Sequence, residues 1–179
     1  MKNLHNKTAL VTGGSRGIGA AIALRLAQQG ANVVITYQTS TAKAEAVVQE
    51  IGRTGGKALA IRADSAAPQS VSDAIDQTAR TFGGLDILVN NAGIGMYNEI
   101  TGFTIEDFDR IMAINVRAVF AGSKAALSYM VKGGRIITIG SCLAERVTKP
   151  GWSLYSMSKS ALIGLTKAMA RDLGPRGTR

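Results

Sequence analysis

The feature that most constrains the fold of this chain is a glycine-rich junction between a predicted strand and a predicted helix, within residues 8–30. Residues 8–12 (TALVT) form a short apolar run that suits a buried strand, and residues 18–26 carry apolar side chains at helical spacing. Three glycines lie between these stretches at the spacing G-x-x-x-G-x-G: Gly13, Gly17 and Gly19. Such glycines allow a tight turn, close approach of the backbone to a ligand, and close packing of helix on strand.

The start of this predicted helix is a candidate site for a phosphate group. The first N–H groups of a helix have no partner within the helix, and the helix dipole favours an anion there. Because glycine-rich strand–helix turns also occur without a ligand, the motif alone leaves a purely structural role open.

Strand-like and helix-like stretches alternate along the rest of the chain. Apolar runs predict four further strands over residues 32–37, 57–62, 85–90 and 135–140. Helical spacing predicts further helices over residues 41–53, 68–82, 104–130 and 154–173. This order predicts an α/β fold with a doubly wound, Rossmann-like parallel sheet, helices on both faces, and a ligand crevice at the carboxyl ends of the strands. We find no repeat or linker, so we predict a single domain over residues 1–179.

Composition and charge narrow the class of protein. The chain has one cysteine, no stretch with the length and purity of a membrane helix, and no secretory leader at its start, so we expect a cytoplasmic protein without a membrane partner. The lone histidine, His5, is not expected to bind a metal. The net charge of +9 is spread along the chain, which favours attraction of phosphate-bearing ligands over nucleic-acid binding.

Tyr155 and Lys159 are the strongest candidates for catalysis. They are four residues apart on the last predicted helix, so their side chains point into the same space. A lysine charge a few ångströms from a phenol favours the phenolate, and this lets a tyrosine exchange protons with a substrate. An ordinary amphipathic pair is the alternative for this spacing taken alone.

Three other positions carry polar groups where a ligand could reach them. Ser141 follows the fifth predicted strand, where its hydroxyl could donate to a substrate carbonyl or serve only in a turn. Residues 90–93 (NNAG) end the fourth strand, where small residues could admit a flat ring or form an Asx turn. Asn115 lies within a predicted helix although asparagine is a poor helix former, so it indicates either a local kink with a water or a polar relay.

These positions occur together in the order, and at nearly the spacing, of the short-chain dehydrogenase/reductase family, and the chain resembles its 3-oxoacyl-carrier-protein reductases. The resemblance implies hydride transfer between a nicotinamide cofactor and a carbonyl compound or alcohol. It implies that Tyr155 is the general acid in reduction and that Ser141 polarises the carbonyl. It also implies that Lys159 binds the nicotinamide ribose and favours the phenolate, and that Asn115 holds a water in a proton relay.

The resemblance further implies a set of cofactor-binding residues. Asp64 would contact the adenine, with Ser65 beside it, and residues 91–93 would line the adenosine side. With the glycine junction, the second strand and the catalytic pair included, the set is Gly13, Ser15, Arg16, Gly17, Ile18, Gly19, Tyr37, Asp64, Ser65, Asn91, Ala92, Gly93, Tyr155 and Lys159.

The choice of cofactor can be predicted from two positions. Selection of NAD in folds of this kind needs an acidic residue near the end of the second strand, but residues 37–40 read YQTS and contain no carboxylate. Arg16 in the glycine junction could pair with a ribose 2′-phosphate, or it could be a solvated surface arginine. We therefore predict NADP(H) in preference to NAD(H).

Family members continue past the point where this sequence stops, through a sixth strand and a substrate lid. The resemblance therefore predicts that the C-terminal substrate-lid region is missing and that the fifth strand lies at a sheet edge. It also implies a homo-oligomer, a dimer or tetramer formed through the helices 104–130 and 154–173, that acts on a small-molecule carbonyl or alcohol. A non-catalytic dinucleotide-binding or sensing protein on the same fold is the alternative function.

Loop residues near the expected mouth of the crevice are candidates for substrate contact. They are Met96, Leu143 and Trp152, which would indicate an apolar pocket. Cys142, next to Ser141, could line the pocket, but we expect it to be a packed small residue.

Overall fold

Five short apolar runs form the strands of one parallel sheet in the computed structural model, which describes residues 3–130 and 133–179. The strands are β1 (Thr8–Val11), β2 (Asn32–Tyr37), β3 (Ala58–Arg62), β4 (Ile87–Asn90) and β5 (Arg135–Thr138). All neighbouring pairs are parallel, and the order across the sheet is β3-β2-β1-β4-β5. The winding direction reverses between β1 and β4, and a crevice opens at such a switch point at the carboxyl ends of the strands.

The helices that connect the strands cover both faces of the sheet. They are α1 (Gly17–Gln28), α2 (Thr41–Arg53), α3 (Pro68–Phe82), α4 (Ile105–Met112), α5 (Ala118–Ala126) and α6 (Ser153–Leu173). Alternate strand residues point to opposite faces. Val11 and Ile35 pack with residues of α1 and α2, whereas Leu10, Val34 and Leu88 pack with residues of α3 and α5. The predicted α/β fold is therefore confirmed.

The predicted helix over residues 104–130 is wrong as one continuous helix. Between α4 and α5 the chain forms a π-helical turn, Ala113–Arg117, and α5 ends at Ala126. The fully buried side chain of Asn115 lies in this turn and hydrogen-bonds outside the helix. A π-helical turn inserts an extra residue into a helix, and such turns are frequent at functional sites.

Strand β5 lies at the edge of the sheet, as expected. Among the residues that the structure describes, β4 is its single strand neighbour, and Ile137 is 46% exposed. The last residue of the chain runs beside this edge, because Ile136 N–H donates to the carbonyl of Arg179 (2.8 Å) and Arg179 N–H donates to the carbonyl of Gly134 (3.0 Å). Arg179 therefore pairs with the outer side of β5.

Helix α4 begins with a complete capping box. Thr104 Oγ1 accepts from Asp107 N–H (3.1 Å), and the Asp107 carboxylate accepts from Thr104 N–H (3.2 Å). We expect Thr104→Ala to lower the free energy of unfolding by about 1 kcal/mol because it leaves a helix N–H without its partner. Urea unfolding of the cofactor-free protein measures this loss.

Ser40→Ala is the matched control for this prediction. Ser40 occupies the same position before α2, but its side chain makes no capping hydrogen bond. We expect this variant to stay within about 0.5 kcal/mol of the wild type. Equal losses in the two variants would contradict the assignment of the stabilisation to the capping box.

Candidate active site

Each of the three glycines in the glycine junction has a different geometric feature that favours glycine at its position. Gly13 has φ +65°, and a Cβ there would lie 3.0 Å from Ala92 Cα. A Cβ on Gly19 would lie 2.6 Å from the carbonyl oxygen of Gly13, so this glycine lets the first turn of α1 pack on the strand end. Gly17 has φ +55° and no atom within 4 Å of a built Cβ, so its surface is open to a ligand. The tight turn at Gly13 and the close packing at Gly19 are therefore found as expected, and the approach of a ligand at Gly17 stays a prediction.

A cleft of about 450 Å³ opens at the carboxyl ends of β1, β2 and β4. It brings together all the residues predicted to bind the cofactor except Tyr155 and Lys159. Those that line it are Gly13, Ser15, Arg16, Gly17, Ile18, Gly19, Tyr37, Asp64, Ser65, Asn91, Ala92 and Gly93. Ile94 and Ile114 also line the cleft, and sequence reasoning missed both because ordinary apolar residues carry no functional signal.

Asn91 ties the two strand ends that form the floor of the cleft. Its Nδ2 donates to the carbonyls of Thr12 (2.9 Å) and Gly13 (3.2 Å). In return Thr12 Oγ1 accepts from the N–H groups of Asn91 and Ala92, both at 3.0 Å. The side chain of Asn91 is thus used as a cross-strand tie between β1 and β4, which holds the glycine junction against the loop after β4.

The amide of Asn115 joins the far end of the cleft to α6. Asn115 is 1% exposed, and its amide both accepts from and donates to the backbone of Ile94, each at 2.9 Å. Its Nδ2 also donates to Ser158 Oγ (3.0 Å), which in turn donates to the carbonyl of Tyr155 (2.8 Å). Of the two alternatives raised by the sequence, the kink is present as the π-helical turn, and the polar relay stays a prediction.

Lys159 is a buried cation beside Tyr155. It is 6% exposed, and its Nζ donates to the carbonyl of Ile139 (2.8 Å) at the end of β5. The Nζ lies 5.9 Å from the centre of the Tyr155 ring, and a Cβ built on Gly93 would lie 3.7 Å from it. Burial lowers the pKa of the Lys159 ammonium from its ordinary value, because the charged form loses its hydration.

Ser141 lies at a turn that faces the same region. Its Oγ accepts from Leu143 N–H (3.2 Å), so the turn role that the sequence left open is realised. Ser141 and Lys159 also line a second cleft, of about 340 Å³, between the end of β5 and α6. Cys142 is exposed, so the expectation that it is a packed residue is wrong, because the turn directs it outward.

One aromatic ring packs on Tyr155, and a second ring packs on the first. Trp152, one of the loop residues predicted near the mouth, packs on Tyr155 with ring centres 5.6 Å apart. Tyr97 packs on Trp152 from the other side at 5.4 Å. Sequence reasoning missed Tyr97, since its loop carries no periodicity that would place it near the last helix.

Metal-binding clusters and membrane-spanning helices are both absent from the described residues. Within residues 3–130 and 133–179, no three histidine, cysteine or carboxylate side chains come close enough together to hold a metal ion. Over the same residues, every helix is too short or too polar to span a membrane.

The model of the short chain dehydrogenase family matches residues 7–179. The chain therefore belongs to this family of oxidoreductases, and the family resemblance predicted from the glycine junction and the Tyr155–Lys159 pair is confirmed. The closer resemblance to 3-oxoacyl-carrier-protein reductases stays a prediction.

The matches to related proteins cover most of this chain but only part of the relatives' length. The cyclic-di-GMP-binding biofilm dispersal mediator protein of Escherichia coli K12 is 45% identical over 171 residues, which are 96% of this chain and 68% of that protein. A hydroxynaphthalene reductase of Aspergillus fumigatus is 41% identical over 174 residues, which are 97% of this chain and 63% of that protein. The chain thus spans about two thirds of the length of these relatives.

A solved structure closely matches the fold. A short chain dehydrogenase from Burkholderia cenocepacia J2315, in complex with NADP, superposes with a TM-score of 0.96 at 56% identity. The match covers 98% of this chain and 71% of that one.

The buried Lys159 makes stability depend on pH in a defined direction. Because its pKa is lowered in the folded state, the unfolded state binds more protons over the pH range just below the ordinary lysine pKa. The free energy of unfolding of the wild type, relative to Lys159→Met, should therefore rise as the pH increases toward the ordinary lysine pKa. Urea unfolding without cofactor at several pH values measures the difference.

Lys167→Met, at an exposed position of the same helix, controls for the simple loss of a lysine. A difference between wild type and Lys159→Met that stays constant or falls with pH would contradict the burial effect.

Proposed function

We propose that this chain carries the nucleotide-binding and catalytic residues of an NADP(H)-dependent oxidoreductase that acts on carbonyl compounds and secondary alcohols. The observation that carries the proposal is the continuity of the site. The cleft of the glycine junction reaches Gly93, and a Cβ there would lie 3.2 Å from Asn115 Oδ1 and 3.7 Å from Lys159 Nζ. A ligand that fills the cleft therefore ends next to the residues proposed for proton transfer.

The residues present fit a dinucleotide. The open surface at Gly17 and the first turn of α1 form a cradle for a diphosphate, which the N–H groups and the helix dipole favour. Asp64 and Ser65 lie in the cleft on the side proposed for the adenine. When bound, the nicotinamide supplies or accepts the hydride, and the protein supplies position and protons.

Each side chain near Tyr155 has a separate part in the proposed reaction. The Tyr155 hydroxyl gives a proton to the carbonyl oxygen in reduction and takes it back in oxidation. Lys159 places a cation beside the phenol, where it stabilises the phenolate that remains. Ser141 donates to the same carbonyl oxygen and polarises it. Asn115 holds the loop at Ile94 and binds a water that passes protons onward.

NADP(H) is proposed in preference to NAD(H). Residues 37–40 line the cleft at the end of β2 without a carboxylate, and Arg16 lines it from the glycine junction. A guanidinium can pair with both oxygens of a 2′-phosphate. The Burkholderia dehydrogenase was solved with NADP, and the net charge of +9 favours the more anionic cofactor.

We propose that the protein forms a homo-oligomer and acts in the cytoplasm. Residues 1–179 are proposed to form one dinucleotide-binding domain. Phe108 on α4 and Phe120 on α5 are 37% and 54% exposed, so these helices present apolar surface that a second copy can cover. The single cysteine is free, which suits a reducing compartment. A small-molecule carbonyl or alcohol is the proposed substrate.

Tyr155→Phe tests the proton donor. We expect the rate of NADPH oxidation with a panel of ketones to fall by about a hundredfold to ten-thousandfold, because a positioned acid contributes that much. NADPH should still quench the emission of Trp152, the single tryptophan, with a dissociation constant within about threefold of the wild type. Tyr129→Phe removes a phenol that donates to Asp76 on α3 and serves as control. A loss below about threefold would overturn the role of Tyr155.

Arg16→Gln tests the cofactor preference. We expect the dissociation constant for NADPH to rise about tenfold to a hundredfold, as for loss of hydrogen bonds to a charged group, while that for NADH changes less than about twofold. Arg25→Gln makes the same charge change in the last turn of α1 and should leave both constants unchanged. Equal weakening of NADPH and NADH by Arg16→Gln would contradict a 2′-phosphate contact.

A second candidate function is non-catalytic dinucleotide binding on the same fold. It is favoured by the E. coli relative, which is named for binding cyclic-di-GMP and is 45% identical. Binding of NADPH or cyclic-di-GMP without NADPH oxidation by any ketone would support this function. Turnover that disappears in Tyr155→Phe would support the oxidoreductase.

A further inference from the structure

An unbroken run of three aromatic rings leads from the protein surface to Tyr155. The Tyr97 and Trp152 ring centres are 5.4 Å apart with planes at 67°, and those of Trp152 and Tyr155 are 5.6 Å apart at 65°. Both contacts are therefore edge to face, an arrangement that the ring quadrupoles favour. Tyr97 is 67% exposed, so the outer end of the run faces solvent.

Backbone contacts hold the two outer rings in place. Asn98 N–H donates to the carbonyl of Gly151 (3.1 Å), which ties the loop after β4 to the segment before α6. Gly151 has φ +88°, and a Cβ there would lie 2.5 Å from the Tyr97 ring, so the glycine lets the ring lie directly on the backbone. A Cβ on Gly95 would lie 3.5 Å from Trp152 Cζ3. The indole is thus held between two loops before any substrate binds.

We propose that Tyr97 and Trp152 form an aromatic wall of the substrate site and give it a preference for flat, aromatic carbonyl compounds. The inference rests on the proposed function, since it takes Tyr155 as the proton donor. A carbonyl oxygen that hydrogen-bonds to the Tyr155 hydroxyl brings its substituents close to that ring. Trp152 is the aromatic neighbour at contact distance there, and an aromatic substituent continues the edge-to-face series, whereas a saturated ring of the same size cannot.

Preorganisation strengthens this preference. The side chains of a wall that is already packed lose little conformational freedom when a ligand binds. The ring contacts therefore contribute to the binding free energy with little entropic cost. One aromatic contact should favour an aromatic ligand over its saturated counterpart by about twofold to tenfold.

The test compares acetophenone with cyclohexyl methyl ketone, which share a carbon skeleton but differ in the flatness of the ring. Binding is measured by calorimetry with saturating NADP⁺, because ketone and oxidised cofactor cannot react. We expect the wild type to bind acetophenone about fivefold more tightly than the saturated ketone. Trp152→Leu should abolish this preference, whereas Trp152→Phe should keep it to within about twofold.

Two other variants complete the experiment. Tyr97→Leu changes an exposed ring, so it is expected to fold, and it should reduce the preference by about twofold because Tyr97 is the outer member of the run. Tyr129→Phe, whose phenol contacts Asp76 away from the wall, should keep the full preference. NADP⁺ binding by each variant shows that it is folded.

The outcomes separate this inference from the proposed function. Failure of the wild type to bind either ketone, equal binding of the two, or an unchanged preference in Trp152→Leu or in Tyr97→Leu would overturn the wall. A preference that these variants remove, without any oxidation of NADPH by acetophenone, would support the wall and overturn the oxidoreductase activity.

Discussion

The buried amide of Asn115 is the interaction on which the arrangement of the site depends. It meets the backbone of Ile94 on one side and Ser158 of α6 on the other, so one side chain fixes the end of the cleft and the start of the helix that carries Tyr155. An unpaired amide at this depth would cost about 1–3 kcal/mol, so the π-helical turn that lets all these bonds form offsets an otherwise unfavourable burial.

The same region buries a cation. Lys159 gives up most of its hydration, and the carbonyl of Ile139 replaces only part of it, which is why the pKa of the ammonium is lowered. Groups whose charge is held at such a cost cluster at functional sites. Burial of Lys159 thus reduces stability beside Tyr155, where the proposed function requires a cation.

The crevice differs between its Gly17 end, where the backbone is open, and its Tyr155 end, where side chains are packed. Around Gly17 the backbone is open and faces the positive end of α1, which suits a diphosphate. Around Tyr155 the surface is built from rings and loops locked by the Asn98–Gly151 hydrogen bond, which suits an organic substrate. The relatives and the solved structure extend beyond the stretch that this chain matches.

The sequence by itself determined the parallel α/β sheet, the glycine junction and the Tyr155–Lys159 pair, because strand and helix periodicities and an i, i+4 spacing act over a few residues. Only the tertiary structure decided that Asn115 interrupts its helix as a π-helical turn, that Cys142 points outward, and that Tyr97 reaches Trp152. Each of these outcomes depends on contacts between segments far apart in the chain. Local periodicity carries no information about such contacts, since they arise only when the loops at the strand ends meet.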